Sequence, residues 1–133
     1  MKRIALVLFL SLPNSAFADG YGFMTPSGNI FCNGAVESRE ISCTIVERMG
    51  QPALQRPASC TATWGHTFHL SATGAVTLAC TNAPRRVNYT DIASYGATGQ
   101  FGDITCQSET TGLTCRNRDG RGFFLSRSRQ SVF

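Results

Sequence analysis

The sequence lacks any apolar run long enough to cross a bilayer. Its longest, Ile4 to Leu12, is broken by Ser11 and covers about half of the roughly 20 residues a spanning helix requires, so no stable membrane anchor is expected. Lysine is absent after Lys2, and arginine alone carries the positive charge of the remainder. There is no Gly-x-Ser-x-Gly elbow, and His66 and His69 are the only histidines, which leaves serine hydrolase chemistry without its usual framework. Linkers, low-complexity tracts and the apolar periodicity of a long helix are missing as well.

What the sequence does contain begins with a leader. Lys2 and Arg3 form a positive start, Ile4 to Leu12 an apolar stretch, and Ala16-Phe17-Ala18 supplies small residues at both positions a signal peptidase inspects. Cleavage after Ala18 is expected. Residues 1–18 therefore read as a signal peptide and residues 19–133 as a single domain of ordinary size. Export would place that domain in a secreted or periplasmic setting, where Cys32, Cys43, Cys60, Cys80, Cys106 and Cys115 are expected to form three disulfides. In the chain-entropy model each such bridge contributes roughly 3 kcal/mol, a large share for a domain with a modest core.

The apolar residues alternate with a period of two, the signature of half-buried strands. Ile30 and Cys32 share a face, as do Ile41, Cys43 and Ile45, then Phe68 and Leu70, then Val76, Leu78 and Cys80. Ile104 with Cys106, Leu113 with Cys115, and Phe123 with Leu125 repeat the arrangement. Thr25-Pro26-Ser27-Gly28 fits a type I turn, with proline at the second position and glycine at the fourth. Ser71 to Gly74 and Thr110 to Gly112 are further turn candidates. Pro52 and Pro57 mark the stretch from Gly50 to Ser59 as a loop, because proline donates no ladder hydrogen bond.

Ile30-Phe31-Cys32 followed by Ile41-Ser42-Cys43 is echoed by Ile104-Thr105-Cys106 followed by Leu113-Thr114-Cys115. An even number of residues lies between the cysteines of each pair, so Cys32 can face Cys43, and Cys106 can face Cys115, across symmetric hairpins. Cys60 and Cys80 would then pair. An odd number of residues separates them, which calls for an odd loop or a bulge, with Gly74 available for it. Six cysteines allow fifteen connectivities, and the consecutive pattern is the one the spacing favours without requiring it.

Several segments together resemble a family of small exported bacterial proteins of unknown function. They are Phe23-Met24-Thr25-Pro26-Ser27-Gly28-Asn29-Ile30-Phe31-Cys32, Trp64-Gly65, Tyr95-Gly96, Gly112 to Asn117, and Gly122 to Arg127. The resemblance spans nearly all of residues 19–133, and its most specific part is the Thr-Pro-Ser-Gly-Asn-Ile-x-Cys motif. Where members of that family carry histidine between two glycines near the end, this chain has Arg121. The resemblance implies export and a disulfide-bonded fold, and brings no catalytic assignment.

Candidate chemistry is sparse. Cys60, His66, His69 and Cys80 hold two thiols and a His-x-x-His pair, but residues three apart on a strand point to opposite faces, and exported thiols pair with each other. No metal and no cofactor is expected. Asp91, Asp103 and Glu109 would suit glycoside hydrolysis only if folding brought two of them together. Trp64 and Tyr95 read first as core or edge aromatics. The strongest asymmetry is one of charge: Arg116, Arg118, Arg121, Arg127 and Arg129 follow Cys115, opposed only by Asp119, and Phe124 lies among them. A guanidinium is a planar fork that grips carboxylates and phosphates.

The sequence thus predicts an all-β fold, a small antiparallel meander or barrel of six to eight strands stapled by disulfides. The expected role is binding rather than catalysis. An anionic envelope polymer, a lipid or an acidic protein would contact the arginine-rich end; nucleic acid is not an expected partner. Two other classes stand beside it: an inhibitor that inserts a loop, Glu47 to Ser59, into an extracellular lysozyme or protease, and an envelope hydrolase with two convergent carboxylates in a cleft.

Overall fold

The computed structural model describes residues 22–35 and 39–133. The expected signal peptide and the cleavage site after Ala18 lie outside the described residues. Strands β1 (Gly22–Met24), β2 (Ile30–Ala35), β3 (Glu40–Ile45), β4 (Thr67–Ser71) and β5 (Thr77–Leu78) form one five-stranded sheet in chain order. Strands β6 (Thr98–Phe101), β7 (Ile104–Glu109), β8 (Gly112–Arg116), β9 (Gly122–Leu125) and β10 (Gln130–Val132) form a second. Every ladder is antiparallel and joins consecutive strands. The fold is two meanders, with no helix among the described residues.

The two sheets do not close into a barrel, and there are ten strands rather than six to eight. The seven alternating runs of the sequence correspond to β2, β3, β4, β5, β7, β8 and β9. The additional β1, β6 and β10 are edge strands of three or four residues, too short to display a period. The run from Val76 to Cys80 also shrinks: only Thr77–Leu78 is strand, and Cys80 stands exposed beyond it.

Alternation places one apolar face of each sheet against the other. Ile30, Cys32, Ile41, Cys43, Ile45, Phe68 and Leu70 from the first sheet join Phe101, Ile104, Cys106, Leu113, Cys115, Phe123 and Leu125 from the second in a single buried cluster. Aromatic pairs bridge the sheets. The ring centroids of Phe68 and Phe123 lie 5.5 Å apart, and those of Phe23 and Phe101 lie 5.7 Å apart.

The sequence echo is an echo of register. In the first sheet Cys32 faces Cys43, Cys43 faces Phe68, and Ile41 faces Leu70. In the second, Cys106 faces Cys115, Cys115 faces Phe123, and Leu113 faces Leu125. The same cross-strand row is built twice, and its two phenylalanines meet at the interface.

The disulfides follow the consecutive pattern, Cys32–Cys43, Cys60–Cys80 and Cys106–Cys115, and no cysteine is free. The first and third join directly facing strand residues with Cα atoms 4.0 and 4.1 Å apart. Cys60–Cys80 differs. It ties two irregular segments at a Cα separation of 5.7 Å, so no bulge is needed. Gly74 instead serves the β4–β5 turn in a left-handed conformation, φ 89°.

Candidate functional site

The arginines that crowd the end of the sequence fall into two groups along the chain. Strand β9 separates them: Arg116, Arg118 and Arg121 lie before it, and Arg127 and Arg129 after it. At about 3.3 Å per residue its four residues carry the chain roughly 13 Å. Each group finds its own surroundings. Arg118 pairs with Asp103 in the β6–β7 turn, Arg116 stacks over the ring of Phe133 at 5.0 Å, and Arg129 stacks over Phe124 at 4.8 Å. Arg121 is exposed, and its backbone is bonded to Asn117. Phe124 points away from the core, between Phe123 and Leu125, which are fully buried. Of the predicted binding residues, Arg127 lines a cleft.

That cleft, of about 260 Å³, opens at one end of the molecule where turns from both sheets meet. The β1–β2 turn contributes Thr25, Ser27 and Asn29, and the β7–β8 turn contributes Glu109, Thr110 and Thr111. Ile30 and Leu125, from the margin of the core, supply its apolar lining, while Glu47, Arg86, Tyr95 and Arg127 bring charge and a half-exposed ring.

The motif at Thr25 to Asn29 builds the cleft's fixed wall. The Gly28 N–H donates to the Thr25 carbonyl at 2.9 Å, closing the turn expected from its proline and glycine, and Gly28 sits at φ 71°, where a side chain would be strained. Ser27 Oγ accepts from the Asn29 N–H at 3.2 Å. The buried Asn29 amide then reaches across to the chain leaving β3. Its Nδ2 donates to the Glu47 carbonyl, and its Oδ1 accepts from the Glu47 N–H, both at 2.8 Å. A two-point clamp of this kind fixes the backbone of Glu47 on both sides of its Cα.

The clamped residue is the electrostatic centre. Glu47 Oε2 lies 3.1 Å from Arg127 Nη2 and 3.7 Å from Arg86 Nη2. Arg86 is steadied by a second bond, Nη1 to the Gly28 carbonyl at 3.1 Å. Two guanidinium groups, from remote parts of the sequence, thus converge on a single carboxylate oxygen. All three side chains remain about half exposed or more, so the ion pairs are open to exchange with an incoming anion.

The other residues weighed from the sequence do not assemble. Cys60 and Cys80 are joined to each other. His66 Nδ1 lies 2.8 Å from the Ile45 carbonyl, and His69 is exposed on β4. Asp103 and Glu109 sit at opposite ends of β7, and only Glu109 lines the cleft. The loop from Glu47 to Ser59 exposes Met49 and Leu54 but is tied inward. The Trp64 indole donates to the Leu54 carbonyl at 2.8 Å, Arg56 donates to the carbonyls of Cys60 and Ala62, and Ala53 packs on the core.

Glu47, Arg86 and Asn29 were not singled out by sequence reading as site residues. The one available signal was the specificity of the Thr25–Asn29 motif, whose asparagine acts through a residue eighteen positions away. No curated protein and no solved structure matches the chain significantly. Over residues 4–133 the sequence matches the model of a family of unknown function, DUF6636, and the chain belongs to that family.

Proposed function

We propose that this protein is an exported, non-catalytic binding module that holds an anionic group of an envelope polymer or acidic protein in the cleft between its turns. Arg86 and Arg127 are the recognising residues. The observation that supports this reading is the convergence of two guanidinium groups on Glu47 Oε2, in a wall locked by Asn29. Three disulfides among six cysteines favour an oxidising compartment, and the leader from Lys2 to Ala18 favours export from a bacterial cell.

Titration of the oxidised protein with tetragalacturonate tests this reading. The Arg86→Gln, Arg127→Gln double variant should bind about tenfold more weakly, the loss of roughly 1.4 kcal/mol. Binding by the unaltered protein should fall as salt shortens the Debye length below about 10 Å. The thermal midpoint should hold, because exposed arginines alter stability by no more than about 0.5 kcal/mol. Arg129→Gln, whose side chain rests on Phe124 instead of lining the cleft, is the control and should bind normally. Equal binding by the double variant defeats the proposal.

A second reading, an envelope hydrolase, draws support from Glu47 and Glu109 lining the same cleft, since glycoside hydrolysis needs two carboxylates about one bond. Binding ranks first because Glu47 is already shared between two guanidinium groups. Release of reducing ends from a cell-wall polysaccharide, abolished by Glu109→Gln, would reverse that order.

A further inference from the structure

The outer face of the first sheet carries a larger concavity, remote in chemistry from the cleft. It encloses about 580 Å³, within the usual range of ligand sites. Phe31 and Tyr89 form one wall, with ring centroids 6.3 Å apart. The placement of Tyr89 is built into the backbone beneath it. A Cβ on Gly22 would stand 1.7 Å from Tyr89 Cε1, so glycine at that position makes room for the ring to lie across β1.

The floor is a polar row. Asn33 of β2 faces Ser42 of β3, and Ser42 faces His69 of β4, so three hydrogen-bonding side chains stand side by side at the interstrand spacing of about 4.8 Å. None of the three side chains has a hydrogen-bond partner among the described residues. Among the described residues, Glu40 is the one charged residue lining the groove, and no arginine does so.

We infer that this groove binds an uncharged oligosaccharide running across β2, β3 and β4. Charge complementarity selects the ligand. A polyanion would find no cation here and one carboxylate to repel it, whereas a polyhydroxyl chain brings no ionic charge to desolvate. The aromatic wall covers the C–H faces of sugar rings, and Asn33, Ser42 and His69 exchange hydrogen bonds with hydroxyls, offering donors and acceptors alike. An extended peptide is a poorer fit. Peptides that add to sheets do so through a free edge, and β2, β3 and β4 are each paired on both sides. This site is independent of the anion cleft.

Backbone amide NMR of the oxidised full chain, titrated with cellotetraose and with N-acetylchitotetraose, tests the inference. Shifts should cluster at Asn33, Ser42, His69 and Tyr89 with at least one of the two oligomers. Binding should weaken about tenfold in His69→Ala and Tyr89→Ala and vanish in Ser42→Trp, which fills the groove from outside the core. The Arg86→Gln, Arg127→Gln variant should bind as the unaltered protein does. No shift with either oligomer, shifts confined elsewhere, or a preference for tetragalacturonate at this face would overturn it. So would undiminished binding by both Ser42→Trp and His69→Ala, of which the second keeps the test decisive should the first fail to fold.

Discussion

Asn117 carries more structure than any other single side chain in the second sheet's turns. Its amide has two donors and two acceptor sites, and all four are used. Nδ2 donates to the carbonyls of Ser71 and Gly74 at 3.0 and 2.8 Å, and Oδ1 accepts from the N–H groups of Asp119 and Arg121, both at 3.0 Å. The β8–β9 turn of one sheet is thereby bolted to the β4–β5 turn of the other, as Asn29 bolts the β1–β2 turn to Glu47. Replacing the buried Asn117 by Ala removes four hydrogen bonds at once and should lower stability by about 2–3 kcal/mol. Asn117→Asp should do no better, because a carboxylate cannot donate to Ser71 and Gly74. Urea unfolding midpoints measure both, and an aspartate variant as stable as the parent would contradict the bonding scheme. At this scale the sequence was only half legible. Both asparagines stood inside recognisable motifs, yet their partners lie eighteen and more than forty positions away, and local pattern says nothing about such distances. Arg127 likewise finds Glu47 far upstream, a pairing that its neighbours in sequence do not announce.

Strands were legible wherever apolar residues recurred at every second position on a buried face, even in the short β5 and β9. Ile41, Cys43 and Ile45 alternate because β3 is central and must present every second side chain to the core. Edge strands such as β1 and β6 have a single ladder and only three or four residues, with glycine among them, so no pattern accumulates. The disulfides obey the same division. Cys32, Cys43, Cys106 and Cys115 are fully buried at facing positions of central strands, whereas Cys80 is exposed. Thiol–disulfide exchange requires access of the attacking thiolate to a sulfur. Limited dithiothreitol should therefore open Cys60–Cys80 first, with alkylation and peptide mass mapping finding label on those two cysteines alone. The single tryptophan, Trp64, lies between them in sequence and donates to the Leu54 carbonyl, just upstream of Cys60. Its fluorescence should change at this stage while the far-ultraviolet dichroism of the sheets persists. Early label on Cys32 or Cys106 would show that burial does not govern the order.

Across the whole molecule, two equivalent meanders share one core, and the repetition explains why a chain so poor in long apolar runs folds at all. Each sheet spends its second and third strands on a disulfide and its fourth on a Phe-x-Leu pair, Phe68 and Leu70 in one, Phe123 and Leu125 in the other. Neither sheet can cover its apolar face alone, since the partner of Phe68 is Phe123. The two halves should then unfold together, as small single domains do. Tryptophan fluorescence, which reports the first half through Trp64, and far-ultraviolet dichroism, which reports both, should give one coincident urea transition with the disulfides intact. Phe68→Ala and Phe123→Ala should each cost about 3–5 kcal/mol. Because the rings touch, the double variant should lose less than the two losses combined, by roughly 0.5–1.5 kcal/mol. Strict additivity, or a dichroism transition that splits in two while fluorescence shows only the first, would mean that the meanders are separate folding units and that the Phe68–Phe123 contact does not couple them.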